Sequence, residues 1–512
     1  MIDFYKKPST QKVLFILSAG IFLLTPLLSA MVFCLKDGRM LNEVCIYLSG
    51  WSDEITYFKQ IEGMVEYGSP KGYFGYNQSK AMYGPYSVWG IFPLIPYYLF
   101  GLIFGWTYQS PIYANIFLCT IALLIFIIMV RPRWSKMLGF SACWLFYYFL
   151  NRYVVSGVIE AFFISTLIII YSCGMYLHSS MVREQPGRCF TSRKNTIVLV
   201  GVTILIMYIT ICRPYYAVLF LIPFWKTIRE KSIPGCIALP VSALLSIIIF
   251  FINNKYFCST YFNNMLDFSG GGISKIADSL YRIWDSILAS IQYDYDMGWY
   301  YIVFFFGMGL MLLHCIYRLL RRKSVSFLFV STLIGNTLIL LSILLIYELS
   351  VSARHILSLN VAMIFIILME FHELWCAAFV YISIRCWMFI GNINPTSYIN
   401  ADYEPYFQSL RSTFAEHVTV SDELSYDNLV AMPTSDRHQE NTNQTVATYY
   451  GLMYAMPAGV GISLDFEDYY ENPDNLKAGY ILCHPQGQIR LILEENDMTC
   501  VFENEEFVLY KR

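Results

Sequence analysis

Long apolar runs constrain this chain more than any other feature of its sequence. A transmembrane helix needs about 20 consecutive, predominantly apolar residues. Such runs occur near 13–34, 87–105, 111–130, 137–152, 160–178, 195–212, 215–226 (short), 234–253, 298–317, 325–347, 353–370 and 374–391. Only 14% of the residues are charged, whereas soluble domains average about 25%. The sequence therefore predicts a multi-pass α-helical membrane protein.

Clusters of Lys and Arg predict the orientation, because cytoplasmic loops carry an excess of both. The clusters are Lys6/Lys7, Arg131/Arg133/Lys136, Arg183/Arg188/Arg193/Lys194, Lys226/Arg229/Lys231 and Arg318/Arg321/Arg322/Lys323. If all twelve runs cross, the later clusters cannot share a side with the first. If the run 87–105, which contains Pro93 and Pro96, lies on the surface or re-enters, all five fall inside. We therefore expect about 11 spans, a cytoplasmic N-terminus and an external C-terminal segment.

The C-terminal segment 392–512 differs in composition from the membrane module that precedes it, residues 1–391. It holds 19 of the 37 acidic residues but only 6 of the 35 basic ones. The strand-like stretches EHVTV, AGYILCH, TCVFE and FVLYKR accompany one helical pattern, GQIRLILEEN. The order strand, helix, strand, strand near the end predicts a small external α/β domain. Cys483 and Cys500 could pair there, or both could remain free thiols.

Two adjacent carboxylates, Asp53 and Glu54, lie in the predicted first external loop, 35–109. Ionisable groups beside a membrane are costly to desolvate and usually mark chemistry or ion handling. The apolar positions after them recur at helical spacing, which predicts an amphipathic helix on the membrane surface. These positions are Ile55, Phe58, Ile61, Met64 and Val65. The simpler interpretation is that Ser52 or Asp53 caps this helix and Glu54 complements its dipole.

Another carboxylate, Glu160, stands where a predicted external turn re-enters the membrane in NRYVVSGVIEAFF. An acidic side chain at the start of an apolar span is uncommon, which favours a functional role. The alternative is an interfacial carboxylate that pairs with Arg152.

Two arginines, Arg213 in ICRPYYAVLF and Arg354 in YELSVSARHILSLN, stand at predicted external ends of spans. The positive-inside rule disfavours arginine beside short external loops. Bidentate binding of a lipid phosphate would explain them, and so would pairing with Asp53, Glu160 or another carboxylate. His355 could orient a phosphate or bind a metal, although a lone histidine is more often structural.

The loop around Tyr83 is rich in Gly and Tyr and ends in YGPYSVWG. Tyr and Gly suit sugar faces, but they also suit the aromatic belt at a membrane interface. Two patterns invite a metal interpretation, Asp294/Asp296 and Glu370/His372/Glu373, yet an exposed loop and a solvated turn explain them more simply. The chain has no P-loop and no nucleotide fingerprint. Neither ATP-driven pumping nor a nucleic-acid partner is therefore indicated.

The order of these features resembles the GT-C glycosyltransferases, in particular the protein O-mannosyltransferase and aminoarabinose-transferase group. The resemblance is carried by SDEITYFKQIEGMVEYG, YGPYSVWGIFPLIPYYLFG, RYVVSGVIEAFF and SARHILSLNVAMIFI, and it covers the membrane module of the chain. It implies a polyprenyl-phosphate-linked sugar donor, used on the external face, and a glycan, protein or lipid acceptor.

The resemblance also implies roles for individual residues. Asp53 matches the general base of an inverting single displacement, with Glu54 as its neighbour at the helix start. Glu160 matches a second acidic site that assists the reaction or binds a divalent metal. Arg354, and less directly Arg213, would hold the lipid phosphate. The set of predicted substrate-binding residues is Arg354, Arg213, His355, Arg152 and Tyr83.

Two other functions are compatible with parts of this pattern. A transporter or flippase of a lipid-linked saccharide would also need arginines and carboxylates. Transporters often show internal repeats and ionisable groups near mid-span, whereas here these groups lie at the predicted external rim of the membrane and no repeat is visible. A non-catalytic scaffold whose external tail binds a partner is the third alternative.

Overall fold

The computed structural model describes residues 8–47, 53–68, 74–78, 90–183, 193–229, 231–257, 272–293, 297–346, 349–371, 374–390, 398–400, 404–434, 451–466, 469 and 473–512. The helices of the membrane module are α1 (Pro8–Lys36), α2 (Asp53–Tyr67), α3 (Ile95–Phe104), α4 (Ser110–Val130), α5 (Trp134–Phe146), α6 (Tyr148–Val154), α7 (Glu160–Arg183), α8 (Arg193–Cys212), α9 (Leu221–Arg229), α10 (Ile233–Phe257), α11 (Gly272–Tyr293), α12 (Met297–Leu320), α13 (Phe327–Ile346), α14 (Leu349–Glu370) and α15 (Leu374–Ile390). The tail contributes α16 (Glu404–His417) and α17 (Ile489–Glu495).

Short strands complete the described structure. They are β1 (Val44–Tyr47), β2 (Phe74–Tyr76), β3 (Tyr398–Asn400), β4 (Leu429–Pro433), β5 (Gly461–Asp465), β6 (Tyr480–Cys483), β7 (Thr499–Glu503) and β8 (Val508–Lys511). Short 3-10 helices lie at Leu41–Glu43, Phe92–Leu94, Pro214–Phe220, Tyr426–Asn428 and Pro473–Asn475.

Seven helices of the described ranges are long and apolar enough to cross a membrane: α1, α4, α7, α8, α10, α12 and α13. With the low charge content of the chain, they make it a multi-pass membrane protein. The prediction of about 11 crossings and the orientation of both termini stay predictions.

Besides the short run 215–226, two predicted apolar runs do not form long helices. The run 137–152 is divided between α5 and α6, with the break at Tyr147. Since a helix rises about 1.5 Å per residue, the 13 residues of α5 extend only about 20 Å, less than the roughly 30 Å of a hydrocarbon core. The run 87–105, which the structure describes from residue 90, contains α3, whose 10 residues are shorter still. That this run lies on the surface or re-enters stays a prediction.

Helix α7 occupies the centre of the bundle, where it packs against α4, α8 and α14. In the most apolar 18-residue stretch of α7, 78% of the residues are buried inside the protein, against 17% in the corresponding stretch of α10. Because α7 begins at Glu160, an acidic side chain stands at one end of the most buried of the seven long helices.

The tail forms a six-stranded sheet in the order β2-β5-β4-β6-β8-β7. Strands β2, β5, β4 and β6 are parallel, while β8 is antiparallel to both β6 and β7. The edge strand β2 comes from the first predicted loop, and Phe74 pairs with Ile462 of β5. A second, two-stranded sheet pairs β1 with β3, with Val44 opposite Asn400. Two sheets therefore join the segment after α1 to the segment after α15.

The local structure of the tail matches most of the sequence pattern. The predicted order strand, helix, strand, strand is present as β6, α17, β7 and β8. The prediction of a strand at EHVTV is wrong: its first two residues end α16, and the following three are not in a strand. Cys483 is buried and Cys500 is exposed, and no disulfide joins the two. The domain boundary at 391/392 stays a prediction, since β2 lies outside it.

Helix α2 corrects the expectation of a helix on the membrane surface. Every residue from Glu54 to Met64 is buried. Tyr57 and Ile61 belong to the core of the helical bundle, while Phe58 belongs to the core of the tail. The helix is therefore enclosed by protein on both sides, and its first residue, Asp53, is held where the bundle meets the tail.

Candidate active site

Asp53 begins α2, and Arg354 lies in the first turns of α14. Arg354 Nη2 donates to Asp53 Oδ2 at 2.5 Å. A hydrogen bond between two charged groups is about twice as strong as a neutral one. The Arg354 side chain is 7% exposed and the Asp53 side chain 22%. The carboxylate is therefore the member of the pair that a solute can reach more easily.

Glu160, the first residue of α7, pairs with Arg213, which follows α8 directly. Arg213 Nη2 donates to Glu160 Oε1 at 2.8 Å, and the two side chains are 1% and 3% exposed. The guanidinium carbon of Arg213 also lies 3.8 Å from the ring centroid of Phe163, about one turn further along α7. A cation held over an aromatic face gains further attraction, most of all where water is excluded. Glu160 and Phe163, which both contact Arg213, therefore lie in the first turn of α7.

Glu160 links the two ion pairs into one group. Its Oε1 lies 3.8 Å from Arg354 Nε, so Arg354 stands between both carboxylates. We call Asp53, Glu160, Arg213 and Arg354 the charged cluster. It contains two carboxylates and two guanidinium groups, and its formal charges balance. Balance matters because burying an uncompensated charge costs several kcal/mol.

His355, which follows Arg354, is buried beside the charged cluster. Its Nδ1 lies 4.0 Å from Glu160 Oε1 and 3.4 Å from the Tyr215 hydroxyl. The ring thus lies beside the same carboxylate that pairs with Arg213.

The charged cluster does not suit a divalent metal. Each of its carboxylates already pairs with a guanidinium, and two fixed cations beside them repel a third. In the ranges that the structure describes, no group of three or more His, Cys, Asp and Glu side chains could hold a metal ion.

The remaining predicted site residues are placed less centrally. Glu54 is buried in the first turn of α2, at 1% exposure. Arg152 lies in the short helix α6 and is half-buried. Tyr83 and the pair Asp294/Asp296 lie outside the described residues, and so do His372 and Glu373 of the pattern Glu370/His372/Glu373.

Tyr57 is a site residue that was not among those predicted from the sequence. It lies one turn after Asp53 on α2 and is 2% exposed. Burial raises the pKa of Tyr57 well above its ordinary value, and the neighbouring Asp53 carboxylate raises it further. The phenol therefore keeps its proton beside the cluster. The spacing of four residues places both side chains on one helix face, and this spacing could have indicated the tyrosine.

A second charged group attaches α2 to the tail. Lys59 is fully buried, and its Nζ donates to Glu62 Oε2 at 2.9 Å and to the Met456 carbonyl. Arg411 of α16 donates to Glu62 Oε1 at 2.5 Å and to Glu66 Oε1 at 2.8 Å. Burial lowers the pKa of Lys59, against the opposing effect of Glu62. We call Lys59, Glu62, Glu66 and Arg411 the helix clamp.

Strand β2 is attached to the tail by a buried polar network. Gln78 Nε2 donates to Asp465 Oδ2 at 3.1 Å, and the Tyr469 hydroxyl donates to the same oxygen at 2.5 Å. The side-chain oxygen Oε1 of Gln78 accepts from the backbone amides of Lys477 and Ala478 at 2.6 and 2.7 Å. Both α2 and β2 are thus fixed to the tail, so the position of Asp53 depends on the tail as well as on the bundle.

Comparisons with known proteins add a distant likeness. No protein-family model and no curated protein sequence matches the chain. The chain is similar to the solved structure of ArnT from Cupriavidus metallidurans in the apo state, at 8% identity and a TM-score of 0.40, over 96% of both chains. It is also similar to ArnT from that organism bound to undecaprenyl phosphate, at 8% identity and a TM-score of 0.41, over 98% of both chains. A TM-score of this size identifies no family, so the function has to be inferred from the chain's own residues.

Proposed function

We propose that the chain transfers a sugar from a polyprenyl-phosphate-linked donor to an acceptor hydroxyl on the external face of the membrane, with Asp53 as the general base. The observation that supports this most is the contact between the partly exposed Asp53 carboxylate and Arg354 at one end of the bundle. A base and a cation that can hold a phosphate are thereby neighbours. The sequence resemblance to the GT-C glycosyltransferases points to the same reaction.

The reaction requires both a base and a cation. The acceptor hydroxyl oxygen attacks the anomeric carbon, the bond from that carbon to the phosphate oxygen breaks, and the hydroxyl proton passes to Asp53. The lipid phosphate leaves as an anion, so it needs a cation rather than an acid. Arg354 would take this role, and the planar guanidinium is suited to binding phosphate oxygens in pairs. A single displacement of this kind inverts the configuration at the sugar.

The ion pair between Asp53 and Arg354 represents the resting state in this proposal. A carboxylate that accepts a hydrogen bond from a guanidinium is a poor base, because the contact stabilises its charged form. The donor phosphate would replace Asp53 as the partner of Arg354. Binding the donor then releases the carboxylate that the acceptor needs, and the site becomes basic only once it is loaded.

Glu160 and Arg213 have a supporting role in this reaction. Both side chains are almost fully buried and paired with each other, so neither is free to exchange protons with an acceptor. Glu160 is a second carboxylate near the Arg354 guanidinium, with its Oε1 3.8 Å from Arg354 Nε. When Asp53 is released, Glu160 remains as the counter-charge that keeps Arg354 in place.

The positions of the charged residues favour surface chemistry over transport. Asp53 and Glu160 each begin a helix, and Arg213 directly follows one. Transporters usually place such groups near the middle of the membrane, at broken helices. The charged cluster instead lies where the bundle meets the tail.

A transfer assay tests the proposal directly. The full chain in proteoliposomes would receive synthetic undecaprenyl-phosphate-linked hexoses and pentoses, with an envelope extract as the acceptor, and released undecaprenyl phosphate would be measured. We expect Asp53→Asn to abolish release while the thermal unfolding midpoint stays near that of the parent. The matched control is Asp427→Asn, an exposed carboxylate of the tail, which should release at the parent rate. Normal release by Asp53→Asn would disprove the general-base role. Movement of intact donor across the membrane without release would favour a flippase.

A further inference from the structure

A cavity opens at the end of the bundle opposite the charged cluster. It has a volume of about 490 Å³ and lies between the start of α1 and the turn that joins α4 to α5. Its wall contains three basic side chains, Lys12, Arg131 and Arg133, and three apolar ones, Phe15, Ile16 and Trp134. Nothing in the proposed reaction uses this cavity.

The direction of the helices fixes where the cavity lies. Gln109, just before α4, donates to the carbonyls of Asn42 and Val44, just after α1. Helices α1 and α4 therefore run in opposite directions, with these ends together on the side of the tail. The start of α1 and the end of α4 lie on the other side, about 30 Å away along the 21 residues of α4. The cavity and Asp53 thus lie at opposite ends of the helical bundle.

The turn between α4 and α5 places two arginines beside the same cavity. Arg131 ends α4 in the left-handed conformation, with φ 51° and ψ 57°, a conformation that a side chain other than Gly, Asn or Asp seldom adopts. Arg133 is the extended residue before α5. The N-terminus of α5 therefore opens on the cavity between the two arginines, and its partial positive charge adds to theirs.

The charges at this cavity are not compensated from within the described ranges of the chain. No hydrogen bond or ion pair there joins Lys12, Arg131 or Arg133 to an acidic side chain. All three side chains are exposed. Three cations and a helix N-terminus around one space favour an anion with several acceptor oxygens, and a phosphate group has this chemistry.

The apolar wall of the cavity distinguishes a lipid from a free anion. Ile16 is 68% exposed, and the exposed face of α1 continues from it through Leu17 at 60% and Leu24 at 51%. A soluble phosphate gains nothing from such a surface, whereas acyl chains bury it. Basic pockets beside membrane helices commonly bind anionic lipid head groups. We propose that this cavity binds the phosphate head group of an anionic glycerophospholipid, with the acyl chains along α1.

The test measures how lipids stabilise the full-length chain. Purified protein in a zwitterionic detergent would be titrated with phosphatidylglycerol or phosphatidylcholine, and the thermal unfolding midpoint and the number of lipids retained in native mass spectrometry would be recorded. We expect phosphatidylglycerol to raise the midpoint and to be retained preferentially. The triple variant Lys12→Gln/Arg131→Asn/Arg133→Gln should bind it about tenfold to hundredfold more weakly. Asparagine is chosen at 131 because it tolerates the left-handed conformation.

Controls separate lipid binding at this cavity from a general effect of basic charge. The variant Arg318→Gln/Arg321→Gln/Arg322→Gln removes a second basic cluster of the same predicted side and should retain phosphatidylglycerol like the parent. If the triple variant is less stable in detergent alone, the double variant Lys12→Gln/Arg133→Gln, which leaves the turn residue intact, replaces it. Equal stabilisation by both lipids, or unchanged retention by the variants, would overturn the proposal. Stabilisation of the parent by millimolar inorganic phosphate to the same extent would assign the cavity to a soluble anion instead.

Discussion

Arg354 Nη2 lies 2.5 Å from Asp53 Oδ2, although 301 positions separate the two residues in the chain. One residue starts a helix of the first predicted loop, and the other lies in α14, near the end of the bundle. The same guanidinium reaches to within 3.8 Å of Glu160. Three segments that are far apart in sequence thus meet at one side chain. A substitution of Arg354 should therefore change the electrostatic environment of both the Asp53 and the Glu160 carboxylate.

We expect Arg354→Gln to lower the rate of sugar transfer by about 100-fold to 1000-fold, the range seen when one group that stabilises a developing anion is removed. Arg354→Lys keeps the charge but loses the paired donors, so it should lie between the parent and Arg354→Gln. Initial rates of lipid phosphate release over a range of donor concentrations measure both effects. The exposed Arg282→Gln in α11 is the control. Parent-like kinetics of Arg354→Gln would show that the donor phosphate is held elsewhere.

Arg213→Gln should reduce stability rather than affect binding alone. It leaves the Glu160 carboxylate, which is 3% exposed, without its partner at 2.8 Å. Breaking a buried ion pair by removing one member costs about 3–5 kcal/mol. The double variant Arg213→Gln/Glu160→Gln removes both charges and should recover a fraction of that loss. Thermal unfolding in detergent compares the three proteins, and a double variant no more stable than Arg213→Gln would mean that the pair is not coupled.

Much of the charged cluster could be predicted from single residues. Glu160, Arg213 and Arg354 are ionisable side chains at the predicted ends of apolar segments, and Asp53 is one in the loop that follows the first apolar segment. At such positions beside a membrane desolvation is costly, which indicates a functional role. Their pairing could not be decided, because sequence spacing carries no information on contacts between helices. The alternative that the arginines pair with Asp53 and Glu160 is the arrangement in this structure. The catalytic and phosphate-binding roles remain proposals.

The environment of α2 could not be predicted, and the reason is physical. The helical pattern after Asp53 predicts the helix correctly, but it also predicts a helix on the membrane surface, where Lys59 and Glu62 would face water. Both are buried, because the tail supplies Arg411 and the Met456 carbonyl as partners. A buried charged side chain has the same sequence signature as an exposed one. Only the fold of a distant segment distinguishes the two.

The helix clamp leads to a prediction about the tail. Arg411→Gln removes the contacts to Glu62 and Glu66, at 2.5 and 2.8 Å, and leaves Lys59 and Glu62 with each other. Since α2 carries Asp53, the maximal rate of transfer should fall about tenfold, with little change in the donor concentration for half-maximal rate. Arg490→Gln removes an ion pair with Glu503 elsewhere in the tail and should leave both quantities unchanged. Equal effects of the two variants would mean that the tail acts on stability alone.

Tyr57 gives a prediction about pH. An unfolded tyrosine titrates near pH 10, and burial raises the pKa of Tyr57 in the folded protein well above that. Below about pH 9 both states hold the proton, so this group adds no pH dependence. As the pH rises above about 10, the unfolded state releases its proton first and is favoured, so stability falls. The parent's unfolding midpoint should therefore fall relative to that of Tyr57→Phe between about pH 9 and about pH 11. A difference between the two midpoints that stays constant over this range would contradict the raised pKa of Tyr57.

The orientation of the bundle can be tested at two turns. Thr107, beside the Gln109 contact to the end of α1, is exposed on the side of the tail. Ser135 lies in the first turn of α5, beside the basic cavity on the other side. With the basic clusters inside, as the positive-inside rule predicts, a membrane-impermeant maleimide should label Thr107→Cys in intact cells. It should reach Ser135→Cys only after permeabilisation. The parent corrects for its 14 native cysteines. The reverse pattern would place the charged cluster on the cytoplasmic face, where an externally acting transferase could not use it.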